Sequence, residues 1–216
     1  RASNEAFRRT ATGHDSVWHG CTKATKHKHF PNHFPFHEET NFVTNSDIRR
    51  VLILGSGTMG RQIGFLCALH GYQVVLYDVS RPALDEALSS IEHLSRRSAD
   101  LGIIGADKPA KIMALISSTS DLAEAAREAD IVSESLPENP SLKGEVFAQF
   151  NELCPERTIF TTNTSTLLPS MFAEKTGRPE KFLALHFHDV RTTNVVDVMP
   201  HPGTAPEVVD LVSAFA

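Results

Sequence analysis

From Ile48 onward, short apolar runs alternate with stretches whose apolar residues recur at helical spacing. Val51-Leu52-Ile53-Leu54 and Val74-Val75-Leu76 carry no polar residue. Strands buried on both faces read this way; half-exposed strands alternate instead. The pattern predicts strands over 51–54, 73–78, 115–118, 130–133, 158–162, 182–187 and 195–199. It predicts helices over 58–70 and about 82–97, with helical stretches between most of the later strands. Strand–helix–strand alternation requires right-handed crossovers and packs helices on both faces of one sheet. The expected fold class is therefore α/β, with a doubly wound, mostly parallel sheet over residues 48–216.

Residues 1–47 break the pattern. They hold no Leu and no Ile, but six of the eleven histidines and the single Trp, Trp18. A segment without large aliphatic side chains has little to set against its ordering entropy, and it reads as a disordered extension. Its densest piece runs from His27 to His37, with imidazoles also at His29 and His33. Imidazoles at that spacing suit zinc, copper or nickel. No cysteine or acidic ligand set accompanies them, so no metal site is assigned. The chain begins at Arg1 and stops at Ala216 inside a helical pattern that opens at Pro206. Both edges read as cut, and a longer parent protein is expected.

Composition narrows the class. The chain has 216 residues, 22% charged, with a net charge of −5. Neither nucleic acid nor an anionic membrane surface is an expected partner. No apolar run approaches bilayer length. Cys21, Cys67 and Cys154 are odd in number and far apart, which argues for a reduced, cytoplasmic setting rather than a disulfide framework. Arg8, Arg9 and nearby Ser and Thr leave a mitochondrial address open, although Glu5 and Asp15 dilute that signal.

Chemistry enters directly after the first predicted strand, at Gly55-Ser56-Gly57-Thr58-Met59-Gly60. In such a turn the first glycine permits the bend. The second lets a pyrophosphate approach the backbone, and the third lets helix and strand pack closely. The amides that open the following helix face the phosphates. Eighteen residues after Gly60 the second predicted strand ends in Asp78. A carboxylate there accepts hydrogen bonds from the adenosine ribose and repels a 2′-phosphate, which favours NAD over NADP. Arg81 softens that preference. The sheet is thus expected to be of the Rossmann type.

Three later segments carry polar residues at strand ends, where a doubly wound sheet lines its crevice. Glu134 to Asn139, followed by Lys143, offers Glu138 and Lys143 as crevice residues; a helix-start acid and a surface lysine is the alternative. Asn163-Thr164-Ser165-Thr166-Leu167 clusters hydroxyl and amide groups, which also suit helix capping. His186 leaves one strand and Asp197 lies on the next, a candidate pair of base and orienting acid.

Together these segments resemble the 3-hydroxyacyl-CoA dehydrogenase family over about 48–216. The resemblance rests on GxGxMG after a strand, Asp78, the E-x-x-x-E-N run from Glu134 to Asn139, Lys143, Asn163–Leu167, and His186-Phe187 twenty-one residues after Ser165. It implies NAD as cofactor and a 3-hydroxyacyl-CoA as small-molecule substrate, in fatty acid metabolism. It implies that Ser165 hydrogen-bonds the substrate oxygen and that His186 is the general acid/base. Asp197 stands nearest to the orienting acid, one methylene shorter than the family's Glu and one residue early. The cofactor contacts implied are Gly55, Ser56, Gly57, Thr58, Met59, Gly60, Asp78, Glu138, Lys143, Ser165 and Asp189. The resemblance also implies a following helical domain that supplies a homodimer contact and part of the acyl cleft, absent before Ala216.

The chain departs from the family at one run. Most members read H-F-F-N-P-P, and this chain reads His186-Phe187-His188-Asp189-Val190-Arg191. Asp189 replaces an Asn, and His188 replaces an aromatic and reads as a partly exposed filler. The departures leave two alternatives open: an NAD-dependent dehydrogenase of a free hydroxy acid, and a nucleotide-binding module without catalysis. Ser95, Arg96 and Arg97 lie where the family meets CoA, and read as a solvated basic helix end.

Overall fold

A computed structural model describes residues 48–189, 193 and 195–216. The expected extension at 1–47, with its histidine run, lies outside the described residues, as do 190–192 and 194. In chain order the elements are β1 (Arg50–Leu54), α1 (Thr58–Leu69), β2 (Gln73–Tyr77), α2 (Arg81–Asp100), α3 (Lys108–Ala114), β3 (Ile116–Thr119), α4 (Leu122–Ala126), β4 (Ile131–Glu134), α5 (Pro140–Asn151), β5 (Ile159–Thr162), β6 (Phe182–Phe187), β7 (Val196–Pro200) and α6 (Pro206–Phe215). The strands form one seven-stranded sheet in the order β3-β2-β1-β4-β5-β6-β7. The first six are parallel, and β7 runs antiparallel to β6.

The apolar runs become strands because both sheet faces are covered. Successive side chains of a strand point to opposite faces, and here they enter two separate cores. Val51, Ile53, Val74, Leu76, Ile131, Ile159, Leu183 and Leu185 share one core with Ile63 of α1, Leu84 and Ile91 of α2, and Val208 and Val212 of α6. Leu52, Leu54, Val132, Phe160 and Phe182 share the other with Phe147 and Phe150 of α5 and Phe172. The second core is an aromatic stack: the Phe147 ring centroid lies 5.2 Å from that of Phe160 and 5.3 Å from that of Phe182.

Helix starts follow local chemistry. Ser80 Oγ accepts from the Ala83 amide and opens α2, so that helix begins earlier than the apolar pattern indicated. Asn139 Oδ1 accepts from the Ser141 and Leu142 amides and opens α5. Between β5 and β6 the chain forms three short 3-10 turns, at Pro169–Met171, Glu174–Thr176 and Pro179–Lys181, in place of a crossover helix. Pro169, Pro179 and the positive φ of Gly177 (75°) interrupt any longer helix. Arg178 gathers this segment. Its guanidinium donates to the carbonyls of Pro155, Thr158 and Asn151 and to Asn151 Oδ1, and lies 4.5 Å from the centre of the Phe160 ring. No helix among the described residues is long and apolar enough to cross a membrane.

Arg178→Ala leaves those carbonyls without their donor in a buried place. The expected loss is about 3 kcal/mol. Thermal unfolding followed by circular dichroism should show a midpoint lower by roughly 6–12 °C.

Candidate active site

The glycine turn sits between β1 and α1, at the point where the strand order reverses, and its three glycines are held for three different reasons. Gly55 has φ +93°, and a Cβ there would lie 2.9 Å from the Ser135 carbonyl oxygen. A Cβ on Gly60 would lie 1.9 Å from the Gly55 oxygen, so only glycine lets α1 approach β1 so closely. A Cβ on Gly57 would meet nothing within 4 Å. Gly57 is therefore spared a side chain by no contact of the protein with itself; the space in front of it is open. No side chain caps α1, no acidic residue stands in its first turn, and Gly57 and Thr58 are exposed. Uncapped amides at the positive end of a helix fit a pyrophosphate. Ser135 Oγ, in the cleft wall beside the turn, is buried without a hydrogen-bond partner. These features fit a dinucleotide.

Asp78 follows the last residue of β2. Its Oδ2 accepts from the amide and hydroxyl of Ser56, both at 3.0 Å, and its Oδ1 accepts from the Ser80 amide. The buried Ser56 side chain thus serves the carboxylate, and Asp78 braces the glycine turn as well as ending the strand. Met59 reaches the neighbouring cleft of about 420 Å³, which is also lined by Glu138, Asn163, Ser165, His186, His188 and Asp189.

Two carboxylates organise the wall of that cleft. Glu134, the last residue of β4, is completely buried; it accepts from Lys143 Nζ at 2.6 Å, from Thr162 Oγ at 2.6 Å and from the Leu136 amide. Burial pushes its carboxyl above the usual range, against the opposing pull of Lys143, Thr162 and Leu136. Glu138 is half-exposed and accepts from Thr164 Oγ at 2.8 Å and from the Ser165 amide at 3.1 Å. Partial burial pushes Glu138 up, but the Thr164, Lys143 and Ser165 donors outweigh it and hold the carboxyl below its usual range.

Lys143 lies deeper than a crevice surface residue. The sequence placed it among the cofactor contacts, yet its side chain has no exposure and Nζ is occupied by Glu134 and the Leu136 carbonyl, with Glu138 at 3.4 Å. A buried carboxylate without a cation is too costly, so the lysine turns inward. It stands beside the cleft residue Glu138.

The titratable groups gather at the antiparallel edge. The β6–β7 register sets His186 directly opposite Asp197, and opposite residues of an antiparallel pair point to the same face. His186 Nδ1 lies 3.3 Å from Asp197 Oδ2, and His186 Nε2 lies 2.9 Å from Ser165 Oγ. An ionised carboxylate only accepts, so the Nδ1 facing it carries the hydrogen, and in a neutral ring the lone pair is left on Nε2. His188, two residues on in extended chain, returns to the same face. Its Nε2 lies 2.8 Å from the same Asp197 oxygen and its ring centroid 4.6 Å from that of His186. Hydrogen bonds from His188 and then from His186 hold the Asp197 carboxyl below its usual range.

The structure thus brings Ser165, His186 and Asp197 together, places Glu138, Met59 and Asp189 on the same cleft, and sets Ser56 and Asp78 at the glycine turn. His188 was read as filler, and its signal was present: two histidines at strand spacing must share a face. Asn163 was quoted only within a motif, and its Oδ1 accepts from the Phe187 amide at 2.9 Å, which fixes the exit of β6.

An open phosphate cradle and a hydroxyl-bonded imidazole at one crevice place the chain in the class of dinucleotide-dependent dehydrogenase domains. The particular family follows from comparison. The model of the "3-hydroxyacyl-CoA dehydrogenase, NAD binding domain" family matches residues 50–216, and the chain belongs to that family, whose cofactor is NAD. The 3-hydroxyadipyl-CoA dehydrogenase of Escherichia coli K12 is 34% identical over 165 residues, covering 76% of this chain and 34% of that protein. The solved 3-hydroxybutyryl-CoA dehydrogenase from Escherichia coli K12 matches with TM-score 0.73 at 33% identity, over 78% of this chain and 37% of its own. A diketoreductase, described as performing substrate-directed dual catalysis of dicarbonyl compounds, matches with TM-score 0.74 at 40% identity, over 79% of this chain and 61% of its own. The chain spans about a third of the length of the curated relative.

Two glycine substitutions separate ligand space from packing. Gly57→Ala should fold with a stability loss under about 1 kcal/mol, while NADH binding, titrated by fluorescence, weakens about tenfold or more as the Cβ enters the open space. Gly60→Ala should cost about 3 kcal/mol or more through overpacking. Equal NADH affinity in Gly57→Ala and the parent chain would remove the pyrophosphate from that turn.

Proposed function

We propose that this chain is the NAD-binding and proton-transferring part of an enzyme that interconverts a 3-hydroxyacyl thioester and its 3-oxoacyl form, in fatty acid oxidation. The observation that carries the reading is the 2.9 Å contact between Ser165 Oγ and His186 Nε2 at the cleft. NAD, when bound, supplies the hydride acceptor. The chain's own residues supply the proton path. His186 takes the substrate hydroxyl proton on Nε2, a role suited to an imidazole at neutral pH. Asp197 accepts from the other ring nitrogen and so keeps the lone pair on Nε2. Ser165 donates to the same substrate oxygen as it becomes a carbonyl, held in place by the bond from its amide to Glu138.

The thioester comes from the names of the family and of the Escherichia coli relatives. A second reading, a free hydroxy acid or dicarbonyl compound, is favoured by His188 and Asp189 on the cleft wall and by the 40% identical diketoreductase. A reduced compartment, cytoplasmic or mitochondrial, agrees with the buried free thiols Cys67 and Cys154.

In the natural protein that carries this chain, His186→Ala should lower kcat roughly a hundredfold or more while NADH still binds. A variant with near-parental turnover removes His186 from the mechanism. Assaying acetoacetyl-CoA beside free acetoacetate and a diketone, each with NADH, decides the substrate class: the thioester reading requires at least about a tenfold advantage in kcat/KM for the CoA ester, and the reverse order would establish the second reading.

A further inference from the structure

The geometry points to a transition-metal site built from His186, His188 and Asp197, which takes zinc and thereby shuts the proton path. One donor atom from each of the three residues lies within 4.8 Å of the others. Asp197 Oδ2 stands 3.3 Å from His186 Nδ1 and 2.8 Å from His188 Nε2. Zinc holds imidazole nitrogen and carboxylate oxygen at about 2.0–2.2 Å, so neighbouring tetrahedral donors stand about 3.3 Å apart. The two separations to Asp197 are close to that spacing already, and the two imidazole donors stand within 4.8 Å of each other. Two imidazoles and one carboxylate suit zinc, cobalt or nickel rather than magnesium or calcium.

The surroundings allow such an ion to enter. Exposure of the side chains is 17% for His186, 41% for His188 and 46% for Asp197. Among the described residues both bonds to Asp197 come from these two rings and fall on Oδ2, so the three groups form one open cluster. A fourth coordination place is left for water. His188 is what makes the set: without it, a single imidazole and a single carboxylate would face each other, too few to hold zinc.

Coordination changes the tautomer of His186. Zinc on Nδ1 takes the lone pair there and moves the ring hydrogen to Nε2, the nitrogen bonded to Ser165 Oγ. Nε2 then has a hydrogen to give and no lone pair to accept a hydroxyl proton. The ion also takes over the Asp197 oxygen that orients the ring. Binding rests on the donor geometry alone, whereas the loss of turnover rests on the proton-transfer role proposed above.

The test uses the full 216-residue chain and cobalt(II) as the probe, because its visible d–d absorption reports coordination without any turnover. The parent chain should bind one more cobalt ion than His188→Phe or Asp197→Asn, or bind it about tenfold or more tightly, with an absorption band that both variants lose. Whatever metal the His27–His37 run takes is common to all three and cancels in the difference. Folding of the variants is checked by circular dichroism. On adding zinc, 15N spectra of the histidine-labelled parent chain should show one Nδ1-metallated and one Nε2-metallated imidazole more than those of His188→Phe. In the natural protein, zinc should lower turnover in the parent and a chelator should restore it, while in His188→Phe turnover should be the same with and without zinc. Identical cobalt spectra and stoichiometry in parent and variants would overturn the site. A site that binds cobalt while zinc leaves parental turnover unchanged would overturn the inhibition and, with it, point away from His186 as the base.

Discussion

The cleft depends on one completely buried carboxylate. Glu134 ends the central strand β4 and gathers a lysine from α5, a hydroxyl from β5 and an amide from the loop that leaves its own strand. Leu136 lines the cleft and Thr162 directly precedes Asn163, which also lines it, while Lys143 lies on α5. A buried charge is tolerable only when paired and hydrogen-bonded, and removal of one partner costs on the order of 3–5 kcal/mol. The same requirement that neutralises Glu134 therefore fixes α5 against the carboxyl ends of β4 and β5. Lys143 then stands close enough to Glu138 to favour its ionised form, and Glu138 in turn receives the Ser165 amide. The position of the hydroxyl at the cleft is set two interactions away from it, inside the protein.

The two halves of the chemistry are built by two kinds of strand pairing. Parallel strands β1, β4 and β5 bring their carboxyl ends to one edge, and their loops supply the phosphate cradle and the hydroxyl. The pair proposed to handle the proton comes from the antiparallel contact of β6 and β7, where opposite residues share a face. A one-residue slip of β7 would send Asp197 to the other side of the sheet and leave His186 without its orienting acid. The alternate residues Val196 and Val198 pack against the core beneath. Burial of these valines holds the register that the acid needs.

Much of this was legible in the residues because it follows from local rules. The strands, including β7, and the glycine turn could be read from apolar runs and from the backbone needs of Gly55, Gly57 and Gly60. The His186–Asp197 pairing was within reach because both lie on predicted strands. The burial of Lys143 was not legible, because only the three-dimensional demand of Glu134 turns it inward. Long-range demands of this kind leave no periodic trace.

His188 shows how one substitution in a family pattern changes what a site can do. An apolar ring at that position would pack beside His186 and leave Asp197 to a single partner. An imidazole there divides one carboxylate oxygen between two donors, so the bond to His186 competes with a shorter one to His188, at 3.3 Å against 2.8 Å. The longer bond is near the limit of useful geometry. Orientation of the ring that carries the proton is thus less tightly imposed by Asp197 than it would be without the second histidine, and more of it must come from Ser165 on the opposite nitrogen. The same hydroxyl proposed to bind substrate oxygen therefore also aims the proposed base, and the two roles are mechanically linked through a single 2.9 Å contact.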